Sequence, residues 1–388
     1  MGIPISYNIR NLVVRKTTTL FTVVGVALTV AVLVSVLGLV TGLRHSFAVT
    51  GNPMHLLLMR KSSTSELISS VSREDFQVIK VKPGIARNAA GEPMASLEMV
   101  TVINLDNGET AGGMNVNLRG LQPIGFEMRD VKMASGRMFR PGHREAVVGM
   151  AIANKYPAAR VGGKLEFGRG IWDVVGVMDG GVSAYNSEVF VDSNIISTDY
   201  QRTAVLSSVL LRVEPGMAEA VRQSVIDDRR LNVDAEFERE YYAEQTNAAL
   251  PIQFMGGAVA IIMAAGSVLS AMNTMFSAVA RRGPEIGTLR ILGFSRVQIL
   301  SSFLIESVIL SGIGGVIGVL AVLPLRNWST SVGSFKTFAE VSFQFRMGPE
   351  VMLAGVVFAI GIGAVGGMIP ATLAARKEIL EALGSRTA

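Results

Sequence analysis

VARRGPEIGTLRILGFSRVQILSSFLIESVIL, residues 279–310, contains the end of one long apolar run, a basic turn and the start of a second apolar run. The first run ends at Ala280 and the second begins near Val297, so the turn covers residues 281–296. Arg281, Arg282, Arg290 and Arg296 stand in it against one acid, Glu285. Basic loops are retained on the cytoplasmic side of a membrane, which marks this turn as cytoplasmic. Between Glu285 and Phe294 the apolar residues Ile286, Leu289 and Leu292 recur at every third position, a pattern read as one helical face. A short amphipathic helix between two spans is suited to receive a push from a cytosolic partner.

Outward from this turn the chain is built for a membrane. Charged residues make up 17% and hydrophobic ones 49%, whereas soluble proteins carry roughly 25% charged residues. Thr17–Leu43, Phe254–Ala280, Val297–Leu325 and Val351–Ala375 are each long enough to cross about 30 Å of hydrocarbon, which takes roughly 20 helical residues. Glu306 is the only ionisable residue in these four segments. Arg10, Arg15 and Lys16 precede the first, and Arg376 and Lys377 follow the last. With alternating spans, all three basic clusters fall on one face and both termini are cytoplasmic.

The expected fold class is an α-helical membrane protein with four transmembrane helices and a large α+β periplasmic domain inserted between helices 1 and 2. The expected order along the chain begins with a cytoplasmic amphipathic N-terminal segment (1–16) and transmembrane helix 1 (17–45). The periplasmic domain with a helical stalk follows (46–250), then helix 2 (251–280), the coupling turn (281–296) and helix 3 (297–325). A short periplasmic loop (326–350), helix 4 (351–375) and a cytoplasmic tail (376–388) complete it. The N-terminal apolar run is longer than the usual 7–15 residues of a signal peptide, and no small-x-small cleavage site precedes Arg44, so it reads as a retained anchor.

Residues 46–250 hold 22 Lys+Arg and 25 Asp+Glu, so the overall charge of +5 is mostly a topology signal and nucleic acid is not an expected partner. Strand-like runs are read at Glu98–Leu105, Asn115–Leu121, Ala146–Gly149, Lys164–Phe167, Trp172–Met178, Val189–Asp192 and Ser208–Val213. Asp106-Asn107-Gly108 is a hairpin candidate. Helices are read at Ser72–Ile79, Met150–Tyr156, Met217–Asp227 and Glu236–Ala249. Thr17–Phe47 as one helix would be about 45 Å long, beyond the hydrocarbon thickness. Glu236–Ala280 bent at Pro251 would be its partner in a stalk.

The chemistry of catalysis is missing from the sequence. Its Gly163-Lys164 pair is followed by Leu165, unlike a phosphate-binding loop. His45, His55 and His143 lack metal-ligand spacing, no Gly-x-Ser-x-Gly elbow occurs, and there is no cysteine. The nineteen methionines are scattered and read as core filling. No catalytic residue, metal site or bound cofactor is therefore expected, and the chain reads as non-catalytic. Glu306 lies near the cytosolic arginines, where it could cap or pair; a proton or substrate carrier is the alternative. Gly38-x-x-x-Gly42, Gly314-x-x-x-Gly318 and Gly363-x-x-x-Gly367 place small residues on single helix faces, as in close helix packing or a dimer interface.

These residues resemble a family. The stretch from Pro284 to Ser295, PEIGTLRILGFS, is similar to the R-E-I-G-x-L-R-A-L-G-A-S turn of the MacB/FtsX/LolCE permeases, the type VII or mechanotransmission ABC transporters. The likeness continues through Phe303, Glu306 and Gly314-Gly315. In the large segment Gly136-Arg137-Met138-Phe139, Glu145 to Gly149, Val161-Gly162, Leu165 and Trp172 to Val177 resemble the MacB periplasmic core. Near the C-terminus, Pro370-Ala371, Ala374-Ala375-Arg376 and Glu381-Ala382-Leu383 match the family's closing pattern. Pro284 and Lys377-Glu378 depart from it.

The resemblance implies a permease whose ATPase is a separate cytosolic ABC subunit carrying ATP and Mg, with Glu285, Ile286, Gly287, Leu289, Arg290, Leu292 and Gly293 as the ATPase-coupling helix. It also implies a second permease copy or homologous permease, placement in the bacterial inner membrane among its lipids, and room for a periplasmic adaptor and an outer-membrane channel. Function would then be export or extraction of a substrate from the periplasm or outer leaflet. The alternatives are an FtsX-like signalling subunit that regulates a cell-wall hydrolase, and a secondary transporter or enzyme.

Overall fold

The computed structural model describes residues 16–105, 113–246, 250–333 and 339–376. The chain forms two compact units, one of residues 1–41, 250–328 and 345–388, the other of residues 42–249 and 329–344. The chain enters through helix α1, Lys16–Val49, which is unbroken over 34 residues. At 1.5 Å per residue that is about 51 Å, well beyond the hydrocarbon core. Residues 1–15, 106–112, 247–249, 334–338 and 377–388 lie outside the described residues. They include the N-terminal segment, Asp106-Asn107-Gly108, the junction expected in the second stalk helix and the C-terminal tail.

The inserted unit is a twisted mixed sheet dressed with short helices. In chain order its elements are β1 (His55–Arg60), β2 (Val71–Ser72), α2 (Arg73–Ile79), β3 (Ala95–Leu105), β4 (Met114–Leu121) and α3 (Pro123–Met128). Then come β5 (Lys132–Gly136), β6 (Glu145–Gly149), α4 (Met150–Lys155), β7 (Lys164–Phe167), β8 (Gly170–Asp179) and β9 (Glu188–Asp192). The last part of the segment holds α5 (Ser193–Asp199), β10 (Val205–Leu206), β11 (Ser208–Arg212), α6 (Ala218–Ile226), β12 (Val233–Phe237) and α7 (Glu238–Gln245). Ten strands join in the order β12-β1-β11-β3-β4-β9-β6-β8-β5, with β7 on β8. β4 runs parallel to β9 and β6 parallel to β8; the other pairings are antiparallel. One face carries the core, from Leu56 and Leu58 through Leu97, Met99, Leu118, Val148 and Val189 to Trp172, which stacks on Phe167 at 5.0 Å.

All seven expected strands are present, with β1, β5 and β12 added at the sheet's flanks. The helix read from Glu236 is corrected at its start. Glu236 and Phe237 end β12, paired with Leu57 and Leu56 of β1, and α7 begins at Glu238. The segment read as a short loop, 326–350, is also corrected. It holds the antiparallel hairpin β13 (Ser329–Gly333) and β14 (Glu340–Gln344), which belongs to the inserted unit. The Ser342 N–H donates to Ser187 Oγ at 2.7 Å, and Lys155 of α4 reaches Ser331 Oγ and Glu340 at 3.4 and 3.5 Å. β13 is rich in Ser and Thr and only β14 buries apolar side chains, Val341 and Phe343, so the hairpin's apolar pattern in sequence is faint.

Charges lie within the inserted unit's core. Arg119 of β4 donates to Glu188 and Glu98 at 2.9 Å and to Glu66 at 2.8 and 2.9 Å. Arg129 forks onto Glu98 at 2.7 and 2.6 Å, and its guanidinium lies 5.5 Å from the Tyr185 ring centre. Glu238 accepts from the Tyr185 hydroxyl at 2.8 Å and lies 2.8 Å from His55 Nδ1. Burial works to raise the Glu98 pKa, but the charges of Arg129 and Arg119 outweigh it and hold it below its ordinary value. Burial likewise acts against Glu238, which its bond to His55 brings down to about 2.

A carboxylate whose pKa is depressed in the folded state contributes stability that is full above its unfolded value. That contribution is lost as pH falls through the folded value. The inserted unit is therefore expected to keep its midpoint above pH 4.5 and lose stability steadily between pH 4.5 and about 2. Thermal unfolding of the purified chain at stepped pH, followed by fluorescence of buried Trp172, checks this; a flat midpoint down to pH 2 would overturn it.

The remaining unit is a helical bundle. α8 (Leu250–Arg281), α9 (Gly283–Ile291), α10 (Arg296–Val322) and α11 (Pro349–Arg376) join α1. Among the described residues, four helices are long and apolar enough to cross a membrane, and α9 is a short one between two of them. α1 meets α8 through hydroxyls, with Thr22 to Thr274 at 2.7 Å and Thr29 to Ser267 at 2.6 Å. α10 meets α1 through glycine. A Cβ on Gly318 would stand 2.5 Å from the Ala27 carbonyl oxygen, and one on Gly314 2.9 Å from that of Val23. α11 closes on α10 the same way, with Gly363 and Gly367 against Ser307 and the Ser307 hydroxyl donating to the Gly363 carbonyl at 2.7 Å. Gly38 lies under the Phe345 ring, and Gly42 is buried in the inserted unit. Large apolar side chains such as Phe254 (79% exposed) and Ile262 line the outer face of α8, a surface suited to lipid.

Candidate coupling site

Arg282 separates α8 from α9, and the turn is built around it. Its backbone N–H closes on the Ala278 carbonyl at 3.2 Å while its carbonyl accepts from Ile286 at 2.9 Å, so one residue ends one helix and begins the next. Pro284, the departure from the family pattern, sits in the first turn of α9, where a missing N–H is harmless. Gly293 has φ +93°, a left-handed conformation that a glycine adopts readily just beyond a helix end. Ser295 then caps α10, accepting from the Gln298 N–H while the Gln298 side chain accepts from the Ser295 N–H at 2.7 Å.

Ile286, Leu289 and Leu292 do not share a face. Ile286 is 2% exposed and packs with Met275, Val279, Ile299, Phe303, Ala371 and Ala374 of the bundle. Leu289 is half-buried, and Leu292 is 70% exposed at the helix C-cap. Three residues turn an α-helix by about 300°, so each step of a three-residue repeat slips by roughly 60°. The inner face is Gly283, Ile286 and Gly287; the outer edge is Glu285, Thr288, Ile291 (61% exposed), Leu292 and Gly293, with Arg290 between them.

Beneath α9 lies an ion pair. Arg282 Nη1 donates to Glu306 Oε2 at 2.8 Å and Nη2 to Oε1 at 3.3 Å, and the guanidinium stands 5.7 Å from the Phe303 ring centre. Both side chains are buried. Sequence reasoning placed Glu306 near the arginines without identifying Arg282. The available signal was a glutamate one helix in from a basic turn.

The network around Arg119 was missed altogether. Its signal was a single charged residue within each of two otherwise uncharged strands, Glu98 in β3 and Arg119 in β4. Among the described residues, no group of three or more His, Cys, Asp or Glu side chains could hold a metal ion.

Comparison with known proteins agrees with this layout. The profile of the MacB-like periplasmic core domain matches residues 19–227, and that of the FtsX-like permease C-terminal region matches residues 257–379. The chain is 26% identical over 411 residues to YknZ of Bacillus subtilis strain 168, described as an uncharacterized ABC transporter permease, covering 95% of both. It is 26% identical over 352 residues to the macrolide export ATP-binding/permease protein MacB of Rhodopseudomonas palustris strain HaA2, covering 83% of this chain and 52% of that one. Among solved structures, the periplasmic region of MacB from Actinobacillus actinomycetemcomitans aligns with a TM-score of 0.39 and 10% identity, over 49% of this chain and 91% of that one.

Proposed function

The chain belongs to the MacB/FtsX-type permeases of ABC transporters, and from that premise we propose that it couples ATP hydrolysis on a separate cytosolic subunit to a conformational change of its inserted domain. The observation that carries the reading is the two-sided build of α9. Its inner face is seated in the bundle by Ile286, while Glu285, Thr288, Ile291 and Leu292 are exposed to solvent. A helix held by the spans and open outward fits a groove on an ATPase, and the four arginines of residues 281–296 argue for a cytosolic groove. ATP and Mg would sit on that partner.

The working unit would pair this permease with a second copy or a related permease in the inner membrane, both termini cytoplasmic and residues 46–250 periplasmic. Export or extraction of a substrate from the periplasm or outer leaflet is the proposed outcome, with an adaptor and outer-membrane channel as further partners. Free energy enters only where ATP binds, so the ATPase must contact the permease differently in its two states.

Topology is the first test, and the absence of native cysteine makes it clean. Cysteines placed singly at Ala90 and Ser295, both exposed, are treated in intact spheroplasts with an impermeant thiol reagent. Ala90→Cys should label at once, and Ser295→Cys only after the membrane is opened. The reverse pattern would invert the reading. In parallel, the purified chain should hydrolyse ATP no faster than buffer, and robust turnover without any partner would overturn the proposal.

A further inference from the structure

α9 is fixed to the bundle at two places of different character. The apolar seat of Ile286 allows sliding, because contacts of this kind have no preferred direction. The Arg282–Glu306 pair is directional, since two parallel N–H···O bonds set both distance and angle. Stability does not account for burying it. Replacing a buried ion pair with apolar residues of similar volume is often neutral or stabilising, so the pair's value lies elsewhere. Its position is informative. Arg282 is the single residue between α8 and α9, and Glu306 projects from α10.

Beyond Glu306, α10 is tightly mated. Ser307 and Ser311 meet Gly363 of α11, Gly315 meets Ala359, and Gly314 and Gly318 meet the backbone of α1 at Val23 and Ala27. Contacts of this kind place only backbone and short side chains between the helices, with little to give way, so they move together.

We propose that Arg282 and Glu306 form the joint through which displacement of α9 drives α10, and through α10 both α1 and α11. They are positioning residues: neither lies on the outer edge that faces a partner, and both act through the helices they tie. Without the ionic fork, α9 yields at Arg282 and slides on the Ile286 seat instead of carrying α10. The proposal rests on the function given above and names the element that performs its coupling step.

The test uses the full chain in complex with its ATPase, in lipid nanodiscs, with a cysteine at Val49, the far end of α1. The reading is the change in thiol-labelling rate at Val49 between the nucleotide-free state and the state trapped with ATP and vanadate, alongside ATP turnover and permease melting temperature. Two variants are compared with the parent, Glu306→Gln and the paired Arg282→Met/Glu306→Met. Glu306→Gln removes the buried carboxylate that Arg282 forks onto and should lower the melting temperature as well as the response. The methionine pair should melt at or above the parent temperature, yet its Val49 response per ATP hydrolysed should fall by roughly 2–30-fold, the range over which residues along a coupling path alter it. A methionine pair with the parent's full response would make the ion pair merely structural and overturn the joint, leaving the transporter reading intact. A parent complex with no response to ATP at Val49 would instead overturn the transporter reading and the joint with it.

Discussion

Changing Ile291 and Leu292 together to Asp should abolish co-purification of the ATPase and with it ATP-dependent activity, while the permease stays at normal abundance. Both side chains are more than half exposed in the chain alone, so the bundle loses no buried apolar surface. In the complex each is expected to fill an apolar recess. Burying such a side chain is worth about 1.5–3 kcal/mol, and every 1.4 kcal/mol is about tenfold in affinity, so the double change should weaken docking by roughly a hundredfold or more. Asp at a helix C-terminus adds a cost of about 0.3–1 kcal/mol, too small to unfold the protein. Ile286→Asp is the contrasting control, because it places a charge inside the bundle and should deplete the permease itself. Normal co-purification with the double variant would remove the docking edge from the mechanism.

Arg119→Met should be the most destabilising single change in the inserted domain. The guanidinium satisfies three carboxylates at once, those of Glu66, Glu98 and Glu188, and removing it leaves them facing one another in the core. Arg129 still neutralises Glu98, so the penalty falls chiefly on Glu66 and Glu188. Breaking a buried ionic cluster from one side typically costs about 3–5 kcal/mol, a large share of the roughly 5–15 kcal/mol that holds a domain folded. Arg119→Lys should rescue little, because one ammonium cannot reproduce the planar fork onto three partners. Arg137→Met, which breaks the exposed pair with Glu145, is the control and should move the urea midpoint far less. Urea unfolding followed by fluorescence of Trp172 reads all three variants, and similar midpoints for Arg119→Met and Arg137→Met would refute the argument.

The four spans were legible because a bilayer demands a long uncharged run, a signal that needs no partner to be recognised. β3, β4, β6, β7, β8, β9 and β11 were legible because their apolar residues are dense enough to announce a buried strand. β1 and β12 were not. His55–Arg60 is a short apolar run just past the turn that ends α1, and Val233–Phe237 alternates apolar with acidic residues beside a helix-forming run, so local pattern there favoured helix while pairing with β1 decided for strand. At the candidate site the turn and its arginines were readable, but the facing of Leu292 depended on where α9 stops, which Gly293 sets through its backbone. The partnership of Arg282 with Glu306 spans 24 residues and two helix junctions, a distance over which spacing alone carries no register.

The hairpin of β13 and β14 makes the inserted domain discontinuous, and that has a consequence for its biogenesis. Ser342 reaches Ser187 across 155 residues of sequence. Ribosomes add about 5–20 residues per second, so the last piece of the domain arrives roughly 8–30 s after the strands it completes. During that interval the sheet can form, yet the cleft between α4 and residues 329–344 has only one wall. A chain arrested before residue 329 would therefore display an unfinished domain, which is completed only after α10 has been made and before α11 is.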